Sequence, residues 1–310
     1  MKKILVIGEI LVEIMADTQG NGFLEAIPLT GPFPSGAPAI FADQAARIGQ
    51  PVALISAVGD DDFGRINLER LKRDHVDISG IYIDSDRPTG SAFVRYRTDG
   101  SRDFVFNIRH SASGTLHKTD IVKNLIETAD HIHVMGTSLS SQEFVEFNIE
   151  AAKAIRARGG TVSFDPNLRK EMLEAPGVAD AMSNIIALTD LYLPSDAELT
   201  LLTRSKDKGD AIAELLHSGI KAIVHKQGAQ GASYHSAKEN LTVKAFPVDE
   251  IDPTGAGDCF GATFTSLWLR DLPPADCLKF AAAAGAFAVT KRGPMEGTSD
   301  FATLEKFLRG

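Results

Sequence analysis

The sequence predicts a three-layer α/β/α sandwich on a mainly parallel sheet, carrying a small β-sheet appendage. Three observations predict it. Short β-branched runs alternate with helix-length segments through most of the chain, the pattern of a parallel sheet with helices on both faces. Between residues 81 and 112 this rhythm breaks into two alternating runs around Asp99-Gly100, a hairpin signal foreign to a βαβ succession. The length, 310 residues, suits one such domain with a small addition.

The elements follow in order. Residues 3–8 are a short apolar strand ended by Gly8, and 10–16 continue as apolar extended chain. Residues 17–22 carry turn chemistry, and the prolines and glycines of 28–38 mark an irregular connection. A helix is expected over 41–48, a buried strand over 52–58 and a helix over 64–75. The hairpin arms are 90–98 and 102–108, joined by a two-residue turn. Alternation then resumes, with helices at 120–128, 142–158, 178–189 and 209–217 and strands at 131–135, 161–165, 191–193 and 221–225. The C-terminal third is helical, at 256–270, 274–291 and 299–308. No internal repeat, low-complexity segment or long linker interrupts it.

Composition narrows the function classes. The net charge of −9, with acids and bases intermixed, argues against a nucleic-acid or anionic-membrane surface. The two cysteines, Cys259 and Cys277, have no zinc or disulfide spacing. Glu9 and Glu13 interrupt the N-terminal apolar run before it resembles a leader, and no stretch approaches the ~18 apolar residues of a membrane span. A cytoplasmic location is the expectation.

The chemistry concentrates in Asp252-Pro253-Thr254-Gly255-Ala256-Gly257-Asp258, which runs into an apolar helix. Glycines at 255 and 257 let the backbone turn tightly and present N–H groups, and a helix start adds a positive dipole end. Together these make an anion site able to hold a transferring phosphate. A carboxylate at Asp258 lies where it can accept the proton of an attacking hydroxyl. The run is neither a Walker A loop nor GxGxxG. Taken alone it also fits a plain tight turn with an acidic first-turn residue.

Context decides between these. The run resembles the C-terminal signature of the ribokinase-like (PfkB) carbohydrate kinases, and other segments resemble family motifs in the right order. These are Ser35-Gly36-Ala37-Pro38-Ala39, Val58-Gly59-Asp60-Asp61-Asp62-Phe63-Gly64, Pro88-Thr89-Gly90-Ser91-Ala92, Phe164-Asp165-Pro166-Asn167-Leu168-Arg169, Lys226-Gln227-Gly228-Ala229-Gln230-Gly231 and Thr290-Lys291-Arg292-Gly293-Pro294. The resemblance spans nearly the whole chain. It implies a ribokinase-like fold in one domain, 1–310, whose β lid is formed by roughly 10–35 and 81–112. It implies ATP and Mg²⁺, with a monovalent cation such as K⁺ near Asp252, and a homodimer through the lids as a family analogy. It assigns Gly255, Ala256 and Gly257 to the anion hole and Asp258 to general base. Ser195, Lys226, Gly228, Gly231, Thr254 and Ala284 fall on the nucleotide side. Glu198 and Asp252 fall at the metal positions, and Glu13, Gly36, Ala37, Ile40, Asn107, Arg109 and Arg169 on the sugar side.

Several positions depart from the family pattern. Ser195 replaces the Asn of an Asn-x-x-Glu motif, Glu13 replaces an Asp, and Ile40 replaces an Asn. If Ile40 faces the sugar, fewer hydroxyls are read there; if it faces the core, the alignment is off by one. Asn107 and Ile108 stand where 2-keto-3-deoxygluconate kinases show Tyr-Arg, which weakens the case for a carboxylate-bearing substrate. A neutral ketohexose, tagatose before fructose, is the expected acceptor, phosphorylated at a primary hydroxyl. The alternatives are a 2-keto-3-deoxygluconate kinase, a nucleoside kinase, or a silent sugar sensor on the same fold. His131 and His133 are expected to be structural, while Phe104 and Phe106 share a strand face that covers a sugar or a second subunit.

Overall fold

The computed structural model describes residues 1–139, 141–167, 177–205 and 207–309, apart from the side chains at 178, 179 and 197. In chain order its strands are β1 (Ile4–Ile7), β2 (Leu11–Ala16), β3 (Leu29–Ser35), β4 (Val52–Gly59), β5 (Ile81–Asp84), β6 (Gly90–Tyr96), β7 (Arg102–Asn107), β8 (His131–Met135), β9 (Thr161–Asp165), β10 (Leu191–Tyr192), β11 (Ala222–Lys226), β12 (Ala232–Ser236) and β13 (Asn240–Val243). Its helices are α1 (Ala37–Arg47), α2 (Asp62–Arg73), α3 (Asp120–Thr128), α4 (Gln142–Ala157), α5 (Val178–Ile186), α6 (Asp196–Leu199), α7 (Lys208–His217), α8 (Ala256–Leu269), α9 (Pro274–Ala288) and α10 (Phe301–Arg309).

Nine strands form one sheet in the order β13-β12-β11-β10-β9-β8-β1-β4-β5. From β11 to β5 every pairing is parallel, and β12 and β13 add an antiparallel edge. Strand β1 shows why helices cover both faces: its four residues are wholly apolar and buried. Alternate side chains enter opposite cores. Leu5 and Ile7 join Phe147, Ile155 and Phe164 on one face, while Ile4 and Val6 join Phe41, Ala262 and Ala284 on the other. Strand β1 pairs with β4 on one side and β8 on the other, and the strand order runs outward from it in both directions. That switch opens a crevice at the carboxyl ends of the strands, where ligands of open α/β sheets bind.

The remaining four strands form a small sheet, β3-β2-β6-β7, in which β2 and β6 are parallel and the outer pairs antiparallel. Its two faces differ. Ala92, Val94 and Tyr96 share a face with their cross-strand partners Phe106, Phe104 and Arg102, and Glu13 pairs beside Ala92. Tyr96 of this face reaches the loop before α8.

Four details differ from the sequence expectation. Residues 81–84 belong to the large sheet, parallel to β4, rather than to the appendage. The hairpin turn is not the two-residue form: Arg97 and Ser101 still bond, leaving Thr98, Asp99 and Gly100 as the loop, with Gly100 at φ 80°. Helix α1 begins at Ala37, its fixed-φ proline in the first turn, where proline is tolerated. Strands β12 and β13 lie in a stretch where no element was expected. Strand β13, the sheet's edge, is half-exposed, and β12 mixes Ser and His with Ala and Tyr, so neither reads as an apolar strand.

Candidate active site

The crevice is lined by the residues that end the parallel strands. Glu9 follows β1, Ser138 follows β8, Asn167 follows β9, Ser195 follows β10, and Lys226 closes β11. Against them stands the first turn of α8. Gly255, its N-cap, has φ 80°, and a Cβ there would lie 2.4 Å from the Pro294 carbonyl oxygen, so no other residue fits. A Cβ on Gly257 would meet only Lys226 Nζ, at 3.7 Å. The turn is thus locked on one side and open on the other, toward a cation. Its first N–H groups have no acceptors within the helix, and the dipole adds positive potential.

Asp258 is buried at the base of this opening, 7% exposed, where Asn167 Nδ2 donates to its Oδ1 at 3.1 Å. Asn167 itself has φ 39°, a conformation asparagine tolerates, and its N–H donates to Asp165 Oδ1 at 3.2 Å. Asp165 forms an ion pair with Lys226 Nζ. Burial pushes the Asp165 carboxyl up to about 6 although Lys226 pulls the other way. Burial likewise opposes the Lys226 charge, but Asp165, Glu198 and Asp258 outweigh it and hold the ammonium above its ordinary range. At neutral pH both members are charged, and one lysine serves several acids around an open turn. That lysine is already shared among several acids, so the helix-start N–H groups are what offer an incoming anion positive potential.

Glu198 is not the exposed helix acid its sequence position suggests. It is 6% exposed and its Oε2 accepts from the Ser195 N–H at 2.7 Å, capping α6. Ser195 bridges β11 at Lys226, so the pair sits beside the ammonium. On the same side Gly228 is exposed on a turn that Gly231 closes against β13. Ala284 is a correction. It is fully buried in the core between α1 and α9, whereas the next residues, Gly285, Ala286 and Phe287, are half-buried.

Asp252 is an anchor. Only 1% exposed, it accepts from Tyr96 Oη at 2.6 Å and the Thr254 N–H at 3.0 Å on Oδ1, and from the Gly293 N–H at 2.9 Å on Oδ2. Burial, and next the bond to Asp252, push the Tyr96 phenol up. Thr254 Oγ1 lies 3.3 Å from both Tyr96 Oη and Arg102 Nη1.

On the opposite side, Glu13 is buried and accepts from Ser35 Oγ at 3.0 Å, while Gly36 and Ala37 open α1 beside it. Three sugar-side expectations need correcting. Ile40 is 2% exposed and packs in the core, 3.3 Å from where a Gly255 Cβ would stand, so it forms an apolar floor beneath the glycine turn. Asn107 pairs with Ser91 and bonds it at 3.4 Å, on the sheet face opposite Tyr96, because alternation sends it away from the crevice. Arg109, past the end of β7, is exposed on an open groove of about 540 Å³ that it shares with Phe63 and Ser111. Arg169 lies outside the described residues. Phe104 and Phe106 stack at 5.0 Å on the crevice-facing side of the small sheet.

The buried histidines, His131, His133 and His225, are structural. His131 bonds Thr161 at 2.8 Å and Ser163 at 2.7 Å, and His133 bonds Ser163 at 2.7 Å and stacks on Phe41. His225 bonds Asp196 at 2.6 Å. Asp165 and Tyr96 are the residues that sequence reasoning missed as site members. An acid ending one strand beside a lysine ending another was the available signal for Asp165; nothing local marks Tyr96.

An α/β/α body with a helix-start anion turn, a buried acid behind it, a lysine in front and a small sheet above is equipped for phosphoryl transfer to a hydroxyl. The chain matches the pfkB family carbohydrate kinase profile over residues 1–300. It belongs to that family and is a carbohydrate kinase. Among solved structures it is similar to a candidate ribokinase II from E. coli, at 47% identity and TM-score 0.95 over 100% of this chain and 99% of that one. The same E. coli protein in complex with ATP and Mg²⁺ gives 46% and 0.93 over 100% and 99%. A fructokinase from Vibrio cholerae O395, solved as a double mutant with fructose, ADP and potassium ion, gives 27% and 0.85 over 99% and 98%. A fructokinase-2 from Solanum habrochaites is 32% identical over 99% of this chain and 96% of its own length. Among the described residues no helix is long and apolar enough to cross a membrane.

Proposed function

We propose that this carbohydrate kinase transfers the γ-phosphoryl group of ATP to a primary hydroxyl of a ketohexose, tagatose or fructose, with Asp258 as general base. The observation that carries the reading is the placement of the Asp258 carboxylate, oriented by Asn167, behind a glycine turn that opens onto Lys226. The sugar oxygen attacks the γ-phosphorus, its proton passes to Asp258, and the bond from phosphorus to the bridging oxygen breaks to leave ADP. N–H groups of the 255–257 turn and the Lys226 ammonium take up charge on the transferring oxygens. The small sheet, with Phe104 and Phe106 facing inward, excludes water that would otherwise accept the phosphoryl group.

The residues present fit a nucleotide-borne Mg²⁺. Among the described residues no cluster of three or more His, Cys, Asp or Glu side chains is arranged to hold a metal. The ion would therefore arrive on the phosphates and meet Glu198 through water, the usual habit of Mg²⁺. Its chemistry there is to neutralise phosphate charge. For K⁺ beside Asp252, the potassium form of the Vibrio cholerae fructokinase is the support. Dimerisation through the small sheets belongs to the same proposal as a family analogy, and a cytoplasmic location belongs to it on composition.

A pentose acceptor is the second reading, favoured by the 47% identity to the candidate ribokinase II. ADP release with ATP-Mg²⁺ across tagatose, fructose, ribose, 2-keto-3-deoxygluconate and adenosine separates the two. Strongest stimulation by a ketohexose is the expected result. Stimulation by ribose alone moves the assignment to the pentose, and sugar-independent release rejects both.

A further inference from the structure

The small sheet touches the phosphate turn through one rung of its hairpin. Tyr96 and Arg102 are directly opposite each other, the last pair of the β6–β7 ladder, and both side chains end at Thr254. The rung is rigidly mounted. Arg97 pairs with Asp103, Asp99 Oδ1 accepts the Ser101 N–H at 2.9 Å, and the Tyr96 carbonyl accepts the Gly20 N–H at 2.9 Å. What Tyr96 holds is also unusual. Its hydroxyl and the Thr254 N–H share one oxygen of Asp252, while Gly293 takes the other. The Pro294 carbonyl next to Gly293 lies against Gly255. A single buried carboxylate therefore joins the small sheet, the turn carrying the anion site and the segment packed beneath it.

We propose that Tyr96 is a positioning residue for phosphoryl transfer: its hydroxyl, delivered by the small sheet onto Asp252, sets the 252–255 turn in its reactive geometry. The idea rests on the proposed transfer at Asp258 but concerns a residue that touches no reacting atom. When the small sheet sits over the crevice, Asp252 Oδ1 has both donors and the turn is fixed. When the sheet lifts, that oxygen loses one of them. Completion of the anion site is thereby coupled to the covering of the sugar, which disfavours transfer to water in the uncovered state. Neighbouring contacts serve the same junction: Arg292 pairs with Asp17 of the small sheet's loop, and Phe33 packs within 2.7 Å of where a Gly293 Cβ would stand.

The test is Tyr96→Phe, which keeps the ring and removes only the hydroxyl, compared with wild type and Asp258→Asn in steady-state kinetics and thermal unfolding. Positioning predicts a kcat lower by about 10-fold, the effect of one lost hydrogen bond to a charged group, with both KM values unchanged and a Tm lower by only a few degrees, as one lost bond implies. Unchanged kcat overturns the proposal. So does a loss carried by KM, or one that disappears when the assay is run well below the lowered Tm, because either marks a merely structural contact. An active Asp258→Asn enzyme would reject the base while leaving the Tyr96 comparison readable.

Discussion

Lys226→Met separates what the lysine does for the fold from what it does for the reaction. In the native state Lys226 neutralises Asp165, a carboxylate with 1% exposure at the end of β9. Deleting the ammonium leaves a buried, unpaired acid, which costs about 3–5 kcal/mol when one partner of a buried pair is removed. The acid already titrates at about 6 with its partner present. Loss of the lysine raises it further, so the variant destabilises as pH rises and the orphaned carboxylate is forced to ionise. Asp165→Asn in the same chain removes the stranded charge, and Asn still offers an oxygen to the Asn167 N–H. The double variant should recover more than half of the lost stability. Activity should not recover, because the cation facing the open side of Gly257 is still missing. Urea unfolding followed by Trp268, the only tryptophan, gives the stabilities, and coupled ADP release gives the rates. A Lys226→Met protein within about 1 kcal/mol of wild type contradicts the buried-pair reasoning. A double variant no more stable than the single one does so equally.

Three further substitutions probe the same turn and core. Gly255→Ala should unfold at markedly lower temperature, since its Cβ meets a carbonyl oxygen at 2.4 Å in a left-handed backbone. Gly257→Ala should match or exceed wild-type stability, by up to about 1 kcal/mol for alanine in a helix, yet lose activity because its methyl enters the open turn; full activity in Gly257→Ala contradicts the anion site. His133 is buried and neutral, its pKa held well below the ordinary value by burial first and then by His131 and Lys226. A group whose folded pKa is depressed gives stability that is present above the unfolded value near 6.5 and is lost as pH falls. His133→Leu should therefore flatten the acid-side slope of stability below that pH by about 1.4 kcal/mol per unit, and an unaltered slope refutes the neutral-histidine assignment.

How far these features were legible in sequence depended on how local their causes are. The Gly255–Asp258 turn was readable because its glycines, helix start and acid are consecutive, and the parallel core was readable because β1 and β4 are short apolar runs and β8 to β11 alternate with helices. Partners distant in sequence were not. Tyr96 meets Asp252 across 156 positions, a contact with no local mark, and Lys226 meets Asp165 across 61, hinted at only by each residue's place at a strand end. Ala284 failed on helix phase: each residue turns the side chain by about 100°, so the core face and the open face are one position apart. Asn107 failed on strand parity in the same way. Strand β3 was hidden by Pro32 and Pro34, tolerable because β3 is the outer strand of its sheet.

The central claim is that Asp258 takes the proton of the sugar hydroxyl, and Asp258→Asn tests it most directly. The change keeps the size of the side chain and an oxygen for Asn167 but removes the basic group. ADP release with ATP-Mg²⁺ and the best sugar of the panel should fall by about 10²–10⁴-fold, with the folded state and nucleotide binding retained. Activity within a few-fold of wild type would contradict the account and require the proton to leave by another route.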